Sequence, residues 1–278
     1  MLSLLLAILT SAMIAVIMRL STDRVAGRTS MLAVNYFACL VLAALHTGIS
    51  NLIPPDAGLP DAMGMGLVNG FLFLAGFVLL QSNTKRNGVV LSSIFMKLGL
   101  LVPMVISVVF FREMPTVVQI IGFCAAIAAI ILINYQKGGG KIGSRWSLLL
   151  LLLAGGSCDA MAKVFEEVGA PSLSAQFLFY TFVVAFLLCL ALAVWKKEKY
   201  GIKELLFGLA LGVPNFYSAR FLLASMKTVP AVIAYPTFSV GTILTVTLAG
   251  VVLFKEKLTK HQWIALAIIL LALALLNL

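Results

Sequence analysis

The sequence predicts an all-α integral membrane protein whose ten transmembrane helices form two inverted five-helix repeats. Three observations carry that prediction. The chain has a mean hydropathy of +1.11, 62% hydrophobic residues and only 11% charged ones, where a soluble domain carries roughly 25% charged. Its apolar runs are each about 20 residues long, the length that crosses a bilayer, and in lipid such a run satisfies its own backbone only as a helix. Finally, Phe111, Arg112, Glu113, Thr116 and Gln119 are answered by Phe254, Lys255, Glu256, Thr259 and Gln262, each pair 143 residues apart.

Charge or Gly/Pro punctuation separates the runs. It places the spans at about 2–18, 30–49, 62–83, 88–111, 117–135, 147–165, 173–195, 204–226, 231–254 and 261–278. The first run lacks a basic n-region and a small-residue cleavage site, so it reads as a retained span. The third span carries Gly66-x-x-x-Gly70 and the eighth Gly208-x-x-x-Gly212, 142 residues on. Small-x-x-x-small faces let helices approach closely in lipid, and the recurrence argues for repeated architecture. Thr116 to Gln119 has the spacing of a capping box. Glu113 and Glu256 are expected against the positive end of the helix that follows each. Five spans is an odd number, so the second half starts on the opposite side of the membrane and the repeats are inverted, an arrangement suited to alternating access. The halves are taken as 1–136 and 146–278, joined by a basic, Gly-rich linker at 137–145.

Net charge is +10. In a soluble domain that excess would suggest nucleic acid, but here it is distributed as membrane orientation requires. Fifteen of the twenty Lys and Arg residues lie in or beside odd-numbered loops. Those loops are therefore expected on the cytoplasmic face of a cell membrane, with both termini outside. Cys39, Cys124, Cys158 and Cys189 stand singly within apolar runs, without metal or disulfide spacing, and His46 and His261 stand at span edges. No cofactor or metal site is expected. There is no GxxxxGK[ST] motif for direct ATP drive.

Ten spans in a five-plus-five repeat, with the segment Gly88 to Pro103 running into Phe110-Phe111-Arg112-Glu113 and its counterpart from Val229 to Glu256, resemble the EamA branch of the drug/metabolite transporter superfamily over essentially the whole chain. In that family Gly usually precedes the Glu, where this chain has Arg112 and Lys255. The resemblance implies transport, and it implies that the fourth and eighth spans line a central cavity.

A charge at a helix centre costs about 2.5–3.5 kcal/mol on insertion scales, so buried charges are paired or face a polar space. Lys97, Asp159, Lys163 and Arg220 lie well inside spans. Asp159 and Lys163 are four residues apart on the sixth, with Glu166 one turn on, which favours a local ion pair. Asp159 is also the one acid deep within a span, and Asp159 with Lys163 is the candidate for coupling to protons. Lys97 and Arg220 have no acid three or four residues away and are candidate anchors for an anionic or zwitterionic solute. Asn69, Asn215, Tyr217 and Tyr235 are further candidate substrate contacts, because Pro214 and Pro236 distort helices beside the last three. Asn35, Tyr36, Gln81 and Asn83 are weaker candidates.

The favoured reading is a secondary transporter of a small polar metabolite such as an amino acid or organic acid. It is not an enzyme, binds no nucleic acid, partners the lipid bilayer, and is a monomer or weak homodimer. Alternatives are an exporter of lipophilic cations, for which the first span lacks an acid, and a non-transporting intramembrane scaffold.

Overall fold

The computed structural model describes residues 1–21, 24–87, 95–96, 98–133, 145–255 and 260–276. Among these residues there are ten α-helices and no strand. They are α1 (Leu2–Ser21), α2 (Arg28–Thr47), α3 (Leu59–Asn87), α4 (Leu101–Phe111), α5 (Val117–Ile133), α6 (Arg145–Val168), α7 (Ser174–Trp195), α8 (Ile202–Met226), α9 (Ala231–Phe254) and α10 (Lys260–Leu276). Seven are long and apolar enough to cross a membrane; α4, α5 and α10 are apolar but shorter. The fourth span departs most from expectation, because the chain turns at Gly99–Leu100 before α4 begins. There the backbone meets α6 directly: a Cβ on Gly99 would lie 2.9 Å from the Gly156 nitrogen and 3.1 Å from the Leu152 carbonyl. The 137–145 linker lies outside the described residues except for Arg145.

The exposed residues show the solvent to be lipid. On α1, Leu2, Leu5, Leu9 and Met13 are all more than half exposed, while Leu4, Ala7, Ile8 and Ala12 are buried. Both faces are apolar, and the two alanines lie on the buried one, where helices meet.

The chain forms two compact units. The first comprises residues 2–74 and 164–224, with α1, α2, α7, nearly all of α8 and the first part of α3. The second comprises residues 75–163 and 225–278 together with Met1, with α4, α5, α9, α10, most of α6 and the end of α3. Each therefore draws helices from both halves of the sequence.

In the first unit α2 and α7 run antiparallel. Thr29 at the start of α2 meets Glu198 just after α7, Phe37 lies 5.5 Å from Phe186, and past the end of α2 the carbonyls of Asn51 and Leu52 accept from Gln176 and Tyr180 near the start of α7. The glycine faces pack on these two helices reciprocally. A Cβ on Gly66 would lie 2.9 Å from the Phe177 carbonyl, and one on Gly70 2.6 Å from that of Thr181. On α8, a Cβ on Gly208 would lie 2.7 Å from the Met31 carbonyl and one on Gly212 2.8 Å from that of Asn35. Met31 to Phe177 and Asn35 to Thr181 are both steps of 146 residues. The third helix of each half thus lies on the second helix of the other.

The second unit has a core of Leu100, Phe123, Ala126, Ile130, Val240, Ile269 and neighbours. Near the start of α5, a Cβ on Gly122 would lie 2.9 Å from Leu275 Cβ, close to the end of α10, so α5 and α10 are antiparallel. Equivalent helices of the two halves therefore run in opposite directions in both units, as an inverted repeat requires.

The helix stops explain the departure from the family's glycine. Arg112 and Lys255 follow α4 and α9 in left-handed conformation, φ 56° and 53°. Their amides return to the carbonyls of Ser107 and Gly250, again 143 residues apart. A left-handed non-glycine residue costs about 1–2 kcal/mol, which a cation at a helix C-terminus offsets by about 0.3–1 kcal/mol. Arg112→Gly and Lys255→Gly are each expected to stabilise the protein by about 1 kcal/mol, raising the apparent Tm by roughly 2–4 °C. An unchanged or lowered Tm in both would show that the strain is absent.

Candidate functional site

Polar groups gather in each unit, and in the first they are built around α8. Pro214 lies inside that helix without ending it. The next residue, Asn215, donates to Asn35 Oδ1 at 3.2 Å. Asn35 is buried, and its own amide nitrogen has no partner among the described residues. Tyr217 stands in an aromatic group with Phe216, Phe221 and the ring of His46, whose centroid is 6.0 Å away and nearly perpendicular. Arg220 follows three residues on, on the same helix face as Tyr217. It is half-buried and makes no hydrogen bond or ion pair among the described residues.

Asn69 lies elsewhere in this unit, buried on α3 beside the glycine face, with its amide 3.5 Å from the Thr181 hydroxyl. Asn35–Asn215 joins α2 to α8 and Asn69–Thr181 joins α3 to α7. Such interhelical polar contacts average about 0.6 kcal/mol in membranes. The Asn69 carbonyl oxygen is left without a partner among the described residues.

The second unit holds an ion pair whose cation is buried and whose acid is partly exposed. Lys163 on α6 is 1% exposed and bonds Glu113 at 2.6 Å. The Phe111 ring lies 5.5 Å from the ammonium. The other oxygen of Glu113 accepts the Val232 amide at 3.3 Å, in the first turn of α9. One turn back on α6, the carbonyl of Asp159 accepts the hydroxyl of Tyr235, which is itself buried.

Lys163 has as a partner an acid fifty residues away, which helical spacing did not indicate. One expectation is corrected by this cluster. Glu113 sits at the N-terminus of α9 in place of the following helix α5. The start of α5 is closed by the capping box alone: Thr116 N–H donates to Gln119 Oε1 at 3.0 Å and Gln119 N–H to Thr116 Oγ1 at 3.2 Å. Glu256 and Thr259 lie outside the described residues, as does Lys97.

Of the candidate residues, Asn215, Tyr217 and Arg220 share α8, Asn69 is on α3, and Tyr235, Asp159 and Lys163 form one cluster in the other unit. His46 was the residue that sequence position undervalued: a histidine at a span edge gives no sign that its ring meets Tyr217. The cysteines make no disulfide. Cys39 and Cys189 are buried and Cys158 half-buried, but Cys124 is exposed.

Residues 1–135 and 145–278 each match the EamA-like transporter family. An uncharacterized protein of Haemophilus influenzae (strain KW20 / Rd) is 22% identical over 95% of this chain and 93% of its own length. A crystal structure of another protein superposes with a TM-score of 0.72 at 20% identity, covering 99% of this chain and 94% of that one. At that identity the superposition speaks for the fold, and the family match spans nearly every residue. The chain is a multi-pass membrane protein that belongs to the EamA-like transporter family, the drug/metabolite transporter superfamily.

Proposed function

We propose that the chain is a secondary transporter that moves a small anionic or zwitterionic metabolite, such as an amino acid or organic acid, by alternating access. The observation that carries this reading is Arg220: a half-buried guanidinium on a membrane helix, without a protein partner among the described residues. An unpaired cation within a span is costly and marks a substrate path by default. A guanidinium grips a carboxylate through two parallel hydrogen bonds. Tyr217 supplies a hydroxyl on the same face. A lipophilic cation would meet like charge here, which disfavours the exporter reading, and a scaffold has no use for a lone arginine. The reaction class is transport without catalysis.

The remaining roles follow from this reading. Asn69, Asn215 and Tyr235 are proposed substrate or gating contacts, Lys97 a second cationic anchor, and Asp159 with Lys163 the site at which proton coupling acts. The five-helix halves 1–136 and 146–278, joined through 137–145, are the proposed structural repeats. Odd-numbered loops face the cytoplasm and both termini the outside.

Thermal-shift screening of the purified protein against amino acids, organic acids, phosphorylated sugars and quaternary amines tests the reading. A ligand at 100 times its Kd stabilises by about 2.7 kcal/mol, so a carboxylate-bearing solute is expected to raise the Tm of the wild type and not of Arg220→Ala. Stabilisation by quaternary amines alone would point to the cation exporter, and no stabiliser in any class to the scaffold.

A further inference from the structure

Where the start of α2 meets the segment that follows α7, the first compact unit carries a groove of about 480 Å³ between α2 and α7, within the range of small-molecule sites. Ala33, Phe37, Phe186 and Leu190 make its walls apolar, and Ser30, Lys197 and Glu198 stand at one end. The carboxylate of Glu198 is already engaged, accepting the amides of Thr29 and Ser30 at 2.7 and 3.3 Å. Glu204 is engaged likewise, by the amides of Ala26 and Gly27 at 3.0 and 3.2 Å. Both acids thus complement the positive N-terminal end of α2. The ammonium of Lys197 is exposed and makes no ion pair or hydrogen bond among the described residues. In sequence, 19–28 and 196–204 hold seven Lys and Arg against three Asp and Glu.

Lys197 also occupies a costly backbone position. Its φ is 50°, its amide bonds the Val194 carbonyl, and the next amide bonds that of Ala193. This is the Schellman stop, where glycine is the usual occupant. Strain retained at a solvent-facing cation suggests a function for the charge.

We propose that this groove binds an anionic phospholipid, with one acyl chain along Phe37 and Phe186 and the phosphate against Lys197. The apolar wall accounts for the chain, the uncompensated ammonium for the headgroup, and basic pockets between membrane helices are recurrent sites for such headgroups. The proposal does not depend on what is transported.

The test is the apparent Tm of the purified full-length chain in detergent, titrated with dioleoyl phosphatidylglycerol, dioleoyl phosphatidylcholine or glycerol 3-phosphate. The wild type is expected to respond to phosphatidylglycerol at a concentration about fivefold lower than to phosphatidylcholine, the factor one Lys contributes near an anionic surface. Glycerol 3-phosphate, which lacks the acyl chain, is expected to have no effect. Lys197→Gly is expected to abolish the preference without lowering the lipid-free Tm, because glycine adopts this backbone without strain. Lys197→Gln is expected to abolish it too, and keeps the test open should the glycine variant misfold. Equal response to the two lipids in the wild type, a preference surviving in both variants, or glycerol 3-phosphate acting as well as the lipid would each overturn the proposal.

Discussion

Replacing Glu113 by alanine is expected to destabilise the protein by about 3 kcal/mol, the lower end of the cost of removing one partner of a buried ion pair, because Lys163 is buried and Glu113 partly exposed. The apparent Tm should fall by roughly 10 °C. The reason lies with the residue left behind. Lys163 is 1% exposed, so its ammonium cannot recover through hydration the interaction it makes with Glu113 at 2.6 Å. Adding Lys163→Met to Glu113→Ala should restore most of the stability, since the double variant buries a thioether of similar length and no charge. A deficit of about 1 kcal/mol should persist from the amide of Val232, which loses its acceptor. If the single variant melts with the wild type, Lys163 is not buried as described. If the double variant is as unstable as the single, Glu113 acts through α9 and not through Lys163.

The second large effect concerns the glycine faces. Gly70→Leu and Gly208→Leu are expected to lose about 3 kcal/mol or more each, the upper end for overpacking. A Cβ at Gly70 would sit 2.6 Å from the Thr181 carbonyl and 2.7 Å from Val184, and one at Gly208 2.6 Å from Val34 and 2.7 Å from the Met31 carbonyl. The obstructing atoms include backbone, which cannot rotate aside. Gly64 on the same helix supplies the control, because a Cβ there meets nothing within 4 Å. Gly64→Leu should be neutral or stabilise by up to about 1 kcal/mol, since leucine is the better helix former. Comparable loss in all three variants would mean that glycine matters along α3 and α8 for some reason other than contact.

How far the sequence disclosed this molecule depended on the distance over which each interaction acts. Apart from the fourth span, where a turn at Gly99–Leu100 precedes α4, helix bounds were legible to within a few residues, because charge and Gly/Pro punctuation act locally. The capping box at Thr116 and Gln119 was legible for the same reason: both partners lie within one turn. The 143-residue repeat disclosed the duplication, and the odd number of spans its inversion. The GxxxG faces could be recognised as contact surfaces, but their targets on α7 and α2 could not, since a small residue carries no information about its partner. The same limit hid the Glu113–Lys163 pair. Spacing on α6 pointed Lys163 to Asp159, and nothing in the chain's local pattern marks an acid fifty residues away. Arg112 and Lys255 appeared as departures from a family glycine until their positive φ values showed the backbone that glycine serves.

Counterflow in proteoliposomes tests the central claim most directly. Vesicles loaded with unlabelled carboxylate or amino-acid solute and diluted into labelled solute should accumulate label saturably when they contain wild-type protein. Arg220→Ala, inserted and folded to the same extent, should lower that rate by at least about tenfold, the equivalent of a charge-assisted hydrogen bond. Arg220→Lys should retain part of it, because the charge survives and the two-pronged grip does not. Transport by Arg220→Ala at the wild-type rate, or wild-type vesicles that move cations and no carboxylate, would contradict the account.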